Sequence, residues 1–489
     1  MTATFSRGLA TLRVPAALHA ACRRKAAEGL AEAVGAGAAG GQGRATILLE
    51  GGKAAMRDST DHEELFRQES YFHYLFGVAE DGYYGAVDVP SGQATLFIPR
   101  LPAEYAVWMG KVPSPEDVKA KYGVDSVHYI ADMPQVLAGS KLYLLAGTNT
   151  DSGATSAPAA FDGIAGFEVD AERLHPVLTA CRVFKTPEEL EVMRYASRVS
   201  SAAHVATMRA TRPGMMEYQL ESTFLHHCYF HGGCRVASYT SICASGAHGA
   251  VLHYGHHGAP NDGPVEDGHM VLCDMGAEYA GYAADITCSY PANGRFTPTQ
   301  AAVYNAVLDA HQSVLRAMRP GVRWPEMHRL AERTILRHLV DAGFLVGDVE
   351  ELMAAEVGAL FMPHGLGHLL GIDTHDVGGY GPGLPERPAG PGINRLRTAR
   401  TLEAGMVMTV EPGCYFNAFL LEPALAAPAT ARFFVADKVR ACLGFGGVRI
   451  EDNVIITADG SESMTDVPRT VAEIEAVMAG GAWPPEGSA

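Results

Sequence analysis

The sequence predicts an α+β protein in two parts, an α/β domain over residues 1–184 and a second domain over 185–489 that carries the chemistry. Three observations predict it. Strand-like and helix-like segments alternate through the first ~180 residues, the pattern of an α/β layer. Thr186-Pro187-Glu188-Glu189 then reads as a helix start, with Thr as cap, Pro at the first position and acids in the first turn. Beyond it, apolar runs carry central acids, and Phe361–Gly379 (FMPHGLGHLLGIDTHDVGG) gathers His364, His368, His375, Asp373 and Asp376 in a glycine-rich stretch. Histidine titrates near neutrality and is the commonest metal ligand, so metal or acid–base chemistry leads over a surface loop that happens to be His-rich.

Composition narrows the function classes. A chain of 489 residues allows one to three domains and a large core. Lys and Arg total 38 against 55 Asp and Glu, a net charge of −17. That balance argues against nucleic acid or an anionic membrane as partner, because both need a basic footprint. The nine cysteines include no C-x-x-C pair and read as thiols of a reducing compartment. No run of 18 apolar residues exists, so no membrane span is predicted. The N-terminus is acid-poor and Arg-containing, like a transit peptide, yet Pro15–Val34 also reads as an amphipathic helix. The expectation is a cytoplasmic protein with an uncleaved start.

In the first part, Gly43–Gly51 reads as a strand closed by glycines, and Phe66–Phe76 as a short aromatic helix or turn. Tyr83–Val89 and Gln93–Ile98 form a hairpin around Pro90-Ser91-Gly92. Pro102–Val107 leads into Trp108, Ser114–Tyr122 is helical, and Lys141–Ala146 is a further strand. No phosphate-cradling glycine motif follows a strand, so nucleotide binding has no support.

In the second part, a long helix runs to about Met208, and another carries Tyr218–Phe230. Ser238–Cys243 is a strand, and Gly249–Gly255 brings His253, which alone reads as a satisfied structural histidine. Gly268–Pro291 is a hairpin whose Asp274 and Asp285, ten residues between them, lie where cross-strand pairing aims two carboxylates at one point. Buried carboxylates in apolar strands are costly unless paired or metal-bound. This hairpin holds no Lys or Arg, so the pair asks for a cation. Helices follow over Thr297–Met318 and Trp324–Ala342, then the histidine stretch and a Pro/Gly-rich loop, Tyr380–Pro391. Met406–Tyr415 is a strand bearing Glu411 and ended by Pro412-Gly413, and Gly446–Ile456 one bearing Arg449, Glu451 and Asp452. Glutamate is poor in strand interiors, and each alone reads as an outward-facing position. Taken together, Asp274, Asp285, His368, Glu411 and Glu451 form an oxygen-rich set with one nitrogen and no thiolate. Such a set suits manganese, cobalt, iron or a hydrolytic zinc pair better than structural zinc. Four carboxylates match two divalent ions ~3.5–4 Å apart, a hydrolytic arrangement.

The ordered set Asp, Asp, His, Glu, Glu resembles the metal site of the pita-bread metallopeptidases. FMPHGLGHLLGIDTHDVGGY, LRTAR, VEPGCYF, GFGGVRIEDNVI and, in the first half, FRQESYFHYLFGV and PRLPAEYAVWMGK are similar to the animal-type prolidases of that family. The resemblance covers about Leu12 to Met478. It implies a pita-bread (creatinase/aminopeptidase) catalytic domain over 185–489. It implies an aminopeptidase P-like N-terminal domain over 1–184 that serves in dimerisation and site completion. By resemblance Asp274, Asp285 and Glu451 hold one metal, and Asp285, His368, Glu411 and Glu451 the other, usually manganese. Glu411 serves as proton shuttle to a metal-bridging hydroxide, with His375 and His364 assisting. His253, His375 and Arg397 contact the dipeptide, Tyr239 stands close by, and Trp108 reaches the partner subunit's site in a homodimer. Chemistry makes sense of Arg397: a guanidinium fork binds a free carboxylate bidentately, and a dipeptide presents one just beyond the scissile bond. Arg395 and Arg400 are better suited to surface salt bridges.

Two departures from the family pattern stand out. Cys414 replaces an aliphatic residue after EPG and adds a candidate site of oxidation, while Phe416–Phe434 reads as a peripheral excursion. The expected activity is metal-dependent hydrolysis of Xaa-Pro (and Xaa-hydroxyproline) dipeptides. The alternatives are an aminopeptidase P acting on longer peptides, a metal-free creatinase-like hydrolase, and a catalytically silent binding protein. The last two conflict with the complete set of five ligands.

Overall fold

The structure, a computed structural model, describes residues 4–35 and 44–484. The chain divides into two compact units, the first ending at Leu190 and the second beginning at Glu191. Gly43, the first residue of the strand expected over 43–51, lies outside the described residues.

The first unit is built on one mixed sheet. Its strands are β1 (Arg44–Glu50), β2 (Tyr84–Asp88), β3 (Ala94–Ile98), β4 (Ser126–Tyr129), β5 (Ser140–Leu144) and β6 (Glu168–Asp170). They lie in the order β6-β5-β1-β2-β3-β4. The predicted hairpin is β2–β3, paired antiparallel from Tyr84↔Phe97 to Val87↔Ala94. Leu48, Ala86, Phe97, Leu142 and Leu144 form a core with Met133 and Leu137. Helix α1 (Ala17–Val34) buries Leu18, Cys22 and Leu30 and packs against the helices Ser70–Phe76 and Leu174–Val183. The short helix Tyr105–Met109 differs from all of these: it has no buried residue, and Val107, Trp108 and Met109 are exposed.

The helix start predicted at Thr186 is present. The Thr186 amide donates to Glu189 Oε2 at 2.8 Å, and the Glu189 amide to Thr186 Oγ1 at 3.3 Å, the reciprocal box that opens α2 (Pro187–Ala210). His204 on this helix is buried, with Nε2 hydrogen-bonded to the Met275 carbonyl at 2.9 Å. Burial lowers its pKa to about 4, outweighing that hydrogen bond. The folded protein therefore keeps His204 neutral while the unfolded chain protonates it near 6.5. Its contribution to stability is present above pH 6.5 and is lost as pH falls toward 4, by about 2 kcal/mol between pH 7 and 5. The expected result is that His204→Gln, whose amide keeps a donor for Met275, loses less melting temperature between pH 7 and 5 than the parent protein. Equal losses would refute this.

The second unit begins its chemistry with α3 (Glu217–Gly232) and three antiparallel strands, β7 (Ile242–Ser245), β8 (Met270–Asp274) and β9 (Thr287–Pro291). Helices α4 (Pro298–Ala317) and α5 (Trp324–Asp341) follow and pack on one another. The acidic strands come next: β10 (Val407–Val410), β11 (Gly413–Tyr415), β12 (Gly447–Arg449) and β13 (Asp452–Ile456). β10 pairs with β13 and β11 with β12, in separate ladders.

Four expectations change here. Of the strand expected over Ser238–Cys243 only Ile242 and Cys243 are extended, as the start of β7, and a separate short strand, Val236–Ala237, precedes it. Asp274 pairs with Thr287, not Asp285, because a small hairpin (Ala277–Tyr279 with Tyr282–Ala283) takes up the chain between the two acids. Phe416–Phe434 is only in part a peripheral excursion, with Phe419 exposed and Phe416, Phe433 and Phe434 buried. It contains the helix Ala418–Ala426, and Phe416 is buried among Phe344, Phe361 and Phe445. Cys414 is fully buried in β11 and burial pushes its thiol pKa up, the opposite of an oxidation-prone thiolate. All nine cysteines are free and buried. Among the described residues no helix is long and apolar enough to cross a membrane.

Candidate metal centre

Both glutamates expected inside strands sit instead where the chain changes ladders. Pro412 has no N–H and cannot continue a ladder, so β10 ends at Val410 and Glu411 stands at the break before β11. Glu451 stands at the matching break between β12 and β13. A residue released from a ladder is free of strict inward–outward alternation, and both acids turn toward the second unit's interior.

The histidine stretch is positioned by the same strands. Residues 366–370 run antiparallel to β10: the Glu411 amide donates to Leu366 O, that of Thr409 to His368 O, and that of Leu370 to Val407 O, at 2.9–3.0 Å. This approach is possible because residue 367 is glycine. A Cβ there would lie 2.1 Å from the Thr409 carbonyl oxygen. His368 donates from Nδ1 to the Leu369 carbonyl at 2.9 Å, which leaves Nε2 to face the acids.

Asp285, His368 and Glu451 are all buried and converge, with one ligand atom of each within 4.8 Å of the others. His368 Nε2 lies 3.4 Å from Asp285 Oδ2 and 3.6 Å from Glu411 Oε1. Glu451 Oε2 accepts from the Thr287 hydroxyl at 2.7 Å. The Asp285 amide donates to Asn453 Oδ1 at 3.2 Å, tying Asp285 to β13. Asp274, at the end of β8, accepts from the Tyr239 hydroxyl and from Arg449 Nη2, each at 2.5 Å.

The electrostatics are those of too many buried acids. Burial raises Glu451 well above its ordinary value, and Asp285, Glu411 and Asp274 push it further. Burial likewise moves Glu411 to about 7, despite His368 and Arg449. Asp274 is raised by burial and by Asp285, against the pull of Arg449. Burial alone would lower His368, but the Asp285 and Glu411 carboxylates outweigh it and hold it above the usual value. Four carboxylates and one imidazole, with Arg449 hydrogen-bonded among them, fit a divalent cation of the oxygen-preferring class.

Other predicted residues frame this cluster. His375 packs edge-on to His368, ring centroids 4.5 Å apart, and burial with the neighbouring His368 and Arg397 lowers it to about 2. His253 is lowered by burial and by Arg449 and Arg397. His364 donates from Nδ1 to the Gly365 carbonyl at 2.8 Å and meets the Tyr415 hydroxyl at 2.9 Å through Nε2. Burial, then Arg449, lowers it to about 4. All three imidazoles are therefore neutral at pH 7. Arg397 is half-buried, and both His253 and His375 register its charge. Arg400 departs from the surface salt bridge expected of it: its side chain is only 14% exposed, Nη1 donates to the Gly378 carbonyl at 3.1 Å, and Glu403 lies 3.9 Å from Nη2. Trp108 belongs to the first unit.

Sequence reasoning passed over Arg449. It is buried, joins Asp274 to the Tyr415 hydroxyl at 2.8 Å, and bonds the Thr287 hydroxyl at 3.2 Å. A cation inside the apolar run GGVRIEDNVII was the available signal.

Comparison with known proteins bears on this arrangement. The family model described as "Metallopeptidase family M24" matches residues 191–458, and "Aminopeptidase P, N-terminal domain" matches residues 19–142. The chain is similar to the Xaa-Pro dipeptidase of Homo sapiens, 54% identical over 482 residues, covering 98% of this chain and 96% of that one. Among solved structures, the aminopeptidase PepP of Pseudomonas aeruginosa aligns with TM-score 0.75 and 33% identity, covering 96% of this chain and 99% of that one. Zn-substituted E. coli aminopeptidase P in complex with product aligns with TM-score 0.74 and 31% identity, with the same coverage.

Proposed function

Because the chain belongs to metallopeptidase family M24, we propose that it is a metal-dependent hydrolase of Xaa-Pro dipeptides built on an aminopeptidase P-like N-terminal domain and a pita-bread catalytic domain. The observation that carries the chemistry is the convergence of buried acids on His368. Asp274, Asp285, His368, Glu411 and Glu451 hold two divalent ions, with manganese the expected metal. When bound, such ions polarise the scissile carbonyl and lower the pKa of water.

The chain's own residues do the rest. Glu411 keeps 18% of its side chain exposed, against 7% for Asp285, so it is the acid placed to exchange a proton with the leaving amine. Neutral His253 and His375 offer hydrogen bonds to the peptide without bringing further charge beside the cations. Arg397 receives the dipeptide's terminal carboxylate. His364 ends the Asp274–Arg449–Tyr415 hydrogen-bond chain through Nε2, while its Nδ1, committed to the Gly365 carbonyl, lies 3.8 Å from Glu411 Oε2 and fixes the ring beside that acid. Tyr239 anchors Asp274.

Hydrolysis of Gly-Pro and Gly-Pro-Ala, with manganese and after chelation, tests this reading. The expected result is chelator-sensitive cleavage of the dipeptide, far faster than of the tripeptide. No cleavage of either, or cleavage untouched by chelation, would sink it. The aminopeptidase P reading draws on the solved structures matched, which are aminopeptidases, and equal cleavage of the tripeptide would establish it. The exposed helix bearing Trp108 supports a homodimer in which that ring meets the other subunit. Light scattering of the same preparation decides that point, and a monomer removes it. The cytoplasm is the proposed location, consistent with nine unpaired thiols.

A further inference from the structure

Glu217 opens α3 and is fully buried, yet lies outside the cluster of acids around His368. Both its oxygens are fully engaged. Oε1 accepts from the Ser245 amide at 2.7 Å and from His248 Nδ1 at 2.9 Å. Oε2 accepts from the Tyr254 hydroxyl at 2.7 Å and from the Gly263 amide at 2.8 Å. The His248 ring also lies flat on that of Tyr254, centroids 4.5 Å apart.

All four donors come from one stretch of chain, residues 245–263, and His253 sits in the middle of it. Beyond the short 3₁₀ turn Gly246–Ala250, residues 251–263 form no helix or strand. No ladder of backbone hydrogen bonds holds this stretch, so side-chain anchors set its course. Asn261 supplies a second anchor of the same design. Its amide donates to Glu221 Oε2, one turn further along α3, at 2.8 Å and to the Ser241 carbonyl at 3.0 Å, and its carbonyl accepts from the Cys243 amide at 3.0 Å. A buried carboxylate is expensive to desolvate, and only a full set of donors offsets that cost. Glu217 has the full set, and the bond to Tyr254 falls on the residue next to His253.

We propose that Glu217 is a positioning residue for substrate binding: through Tyr254 and His248 it sets His253 in the place where that imidazole meets the dipeptide. This rests on the reading of His253 as a substrate contact. Tyr254→Phe removes one donor and keeps the ring. Glu217→Gln turns an amide N–H₂ toward two donors that need an acceptor.

The test is steady-state hydrolysis of Gly-Pro by the manganese-loaded full chain, with metal content measured on each variant. Tyr254→Phe is expected to raise KM about 2–10-fold, the worth of one hydrogen bond, with kcat and metal content unchanged. Glu217→Gln raises KM further. The double variant His253→Asn/Tyr254→Phe is expected to be no worse than His253→Asn alone, because both changes act through one imidazole. Loss of packing alone would move melting temperature without this split. If His253→Asn raises KM and Tyr254→Phe does not, the anchoring role falls and the His253 contact stands. If His253→Asn leaves KM unchanged, that contact falls and the proposal with it. Should Glu217→Gln not fold, Tyr254→Phe and the double variant still decide.

Discussion

Glu451→Gln is expected to abolish Gly-Pro hydrolysis and, in the metal-free protein, to raise the melting temperature. The two effects have one cause. Glu451 is buried beside Asp285, with Glu411 and Asp274 close enough to push its carboxyl well above the ordinary range. Without cations, that repulsion opposes folding, since burying a charge without a partner costs several kcal/mol. Glutamine keeps the shape, removes one charge and still offers Thr287 a hydrogen-bond partner. With cations bound the order reverses, because the parent protein has one more anionic ligand. Activity should fall by about 10³-fold or more, the share of barrier lowering expected of a bound metal at several kcal/mol. The measurements are a melting curve with and without manganese for both proteins, and metal content after dialysis. A variant that retains two ions and a tenth of parental activity would remove Glu451 from the proposed ligand set.

How far the site was legible depended on whether a residue's meaning was local. Asp274 and Asp285 could be read because carboxylates interrupt an apolar strand pattern that holds no Lys or Arg. Their register could not, since it turns on the small hairpin that brings Thr287 opposite Asp274. Glu411 and Glu451 are legible as acids, but the apolar pattern around each places it inside a strand. Pro412-Gly413 reads as the end of the strand that bears Glu411, and the missing N–H of Pro412 stops the ladder one residue earlier still, at Val410, which leaves Glu411 outside it. Arg449 carries no role in its strand until the fold shows it buried against Asp274 and Tyr415. Glu217 is the extreme case. An acid in the first turn of a helix ordinarily faces solvent and complements the helix dipole. Nothing near it in the chain announces that its partners lie at Ser245, His248, Tyr254 and Gly263. Local periodicity carries helices and strands, while long-range hydrogen bonds to a single side chain leave no periodic trace.

Arg397→Ala is expected to change which peptides the protein cuts more than whether it cuts at all. The backbone that carries the guanidinium is held from both sides. The Leu396 carbonyl just before it accepts from the Tyr380 hydroxyl at 2.8 Å and from the Arg387 guanidinium. On the other side Gly379 lies against the Arg397 carbonyl, where a Cβ would come within 2.0 Å of the oxygen. Arg387 in turn stacks on the Tyr380 ring, 4.3 Å from its centroid. A fork on a backbone held this way discriminates by position: it meets a carboxylate one residue beyond the scissile bond and finds only a neutral amide there in a longer peptide. Loss of a charge-assisted bidentate contact is worth about 1.5–3 kcal/mol, so KM for Gly-Pro should rise about 10–100-fold. Cleavage of Gly-Pro-Ala, which never had the contact, should hold steady or improve, and Arg397→Lys should fall between, since an ammonium keeps the charge but not the fork. The ratio of kcat/KM for the two peptides is the quantity to measure. If both peptides lose activity in the same proportion, Arg397 is a structural residue of the loop, and the preference for dipeptides must come from steric closure of the site.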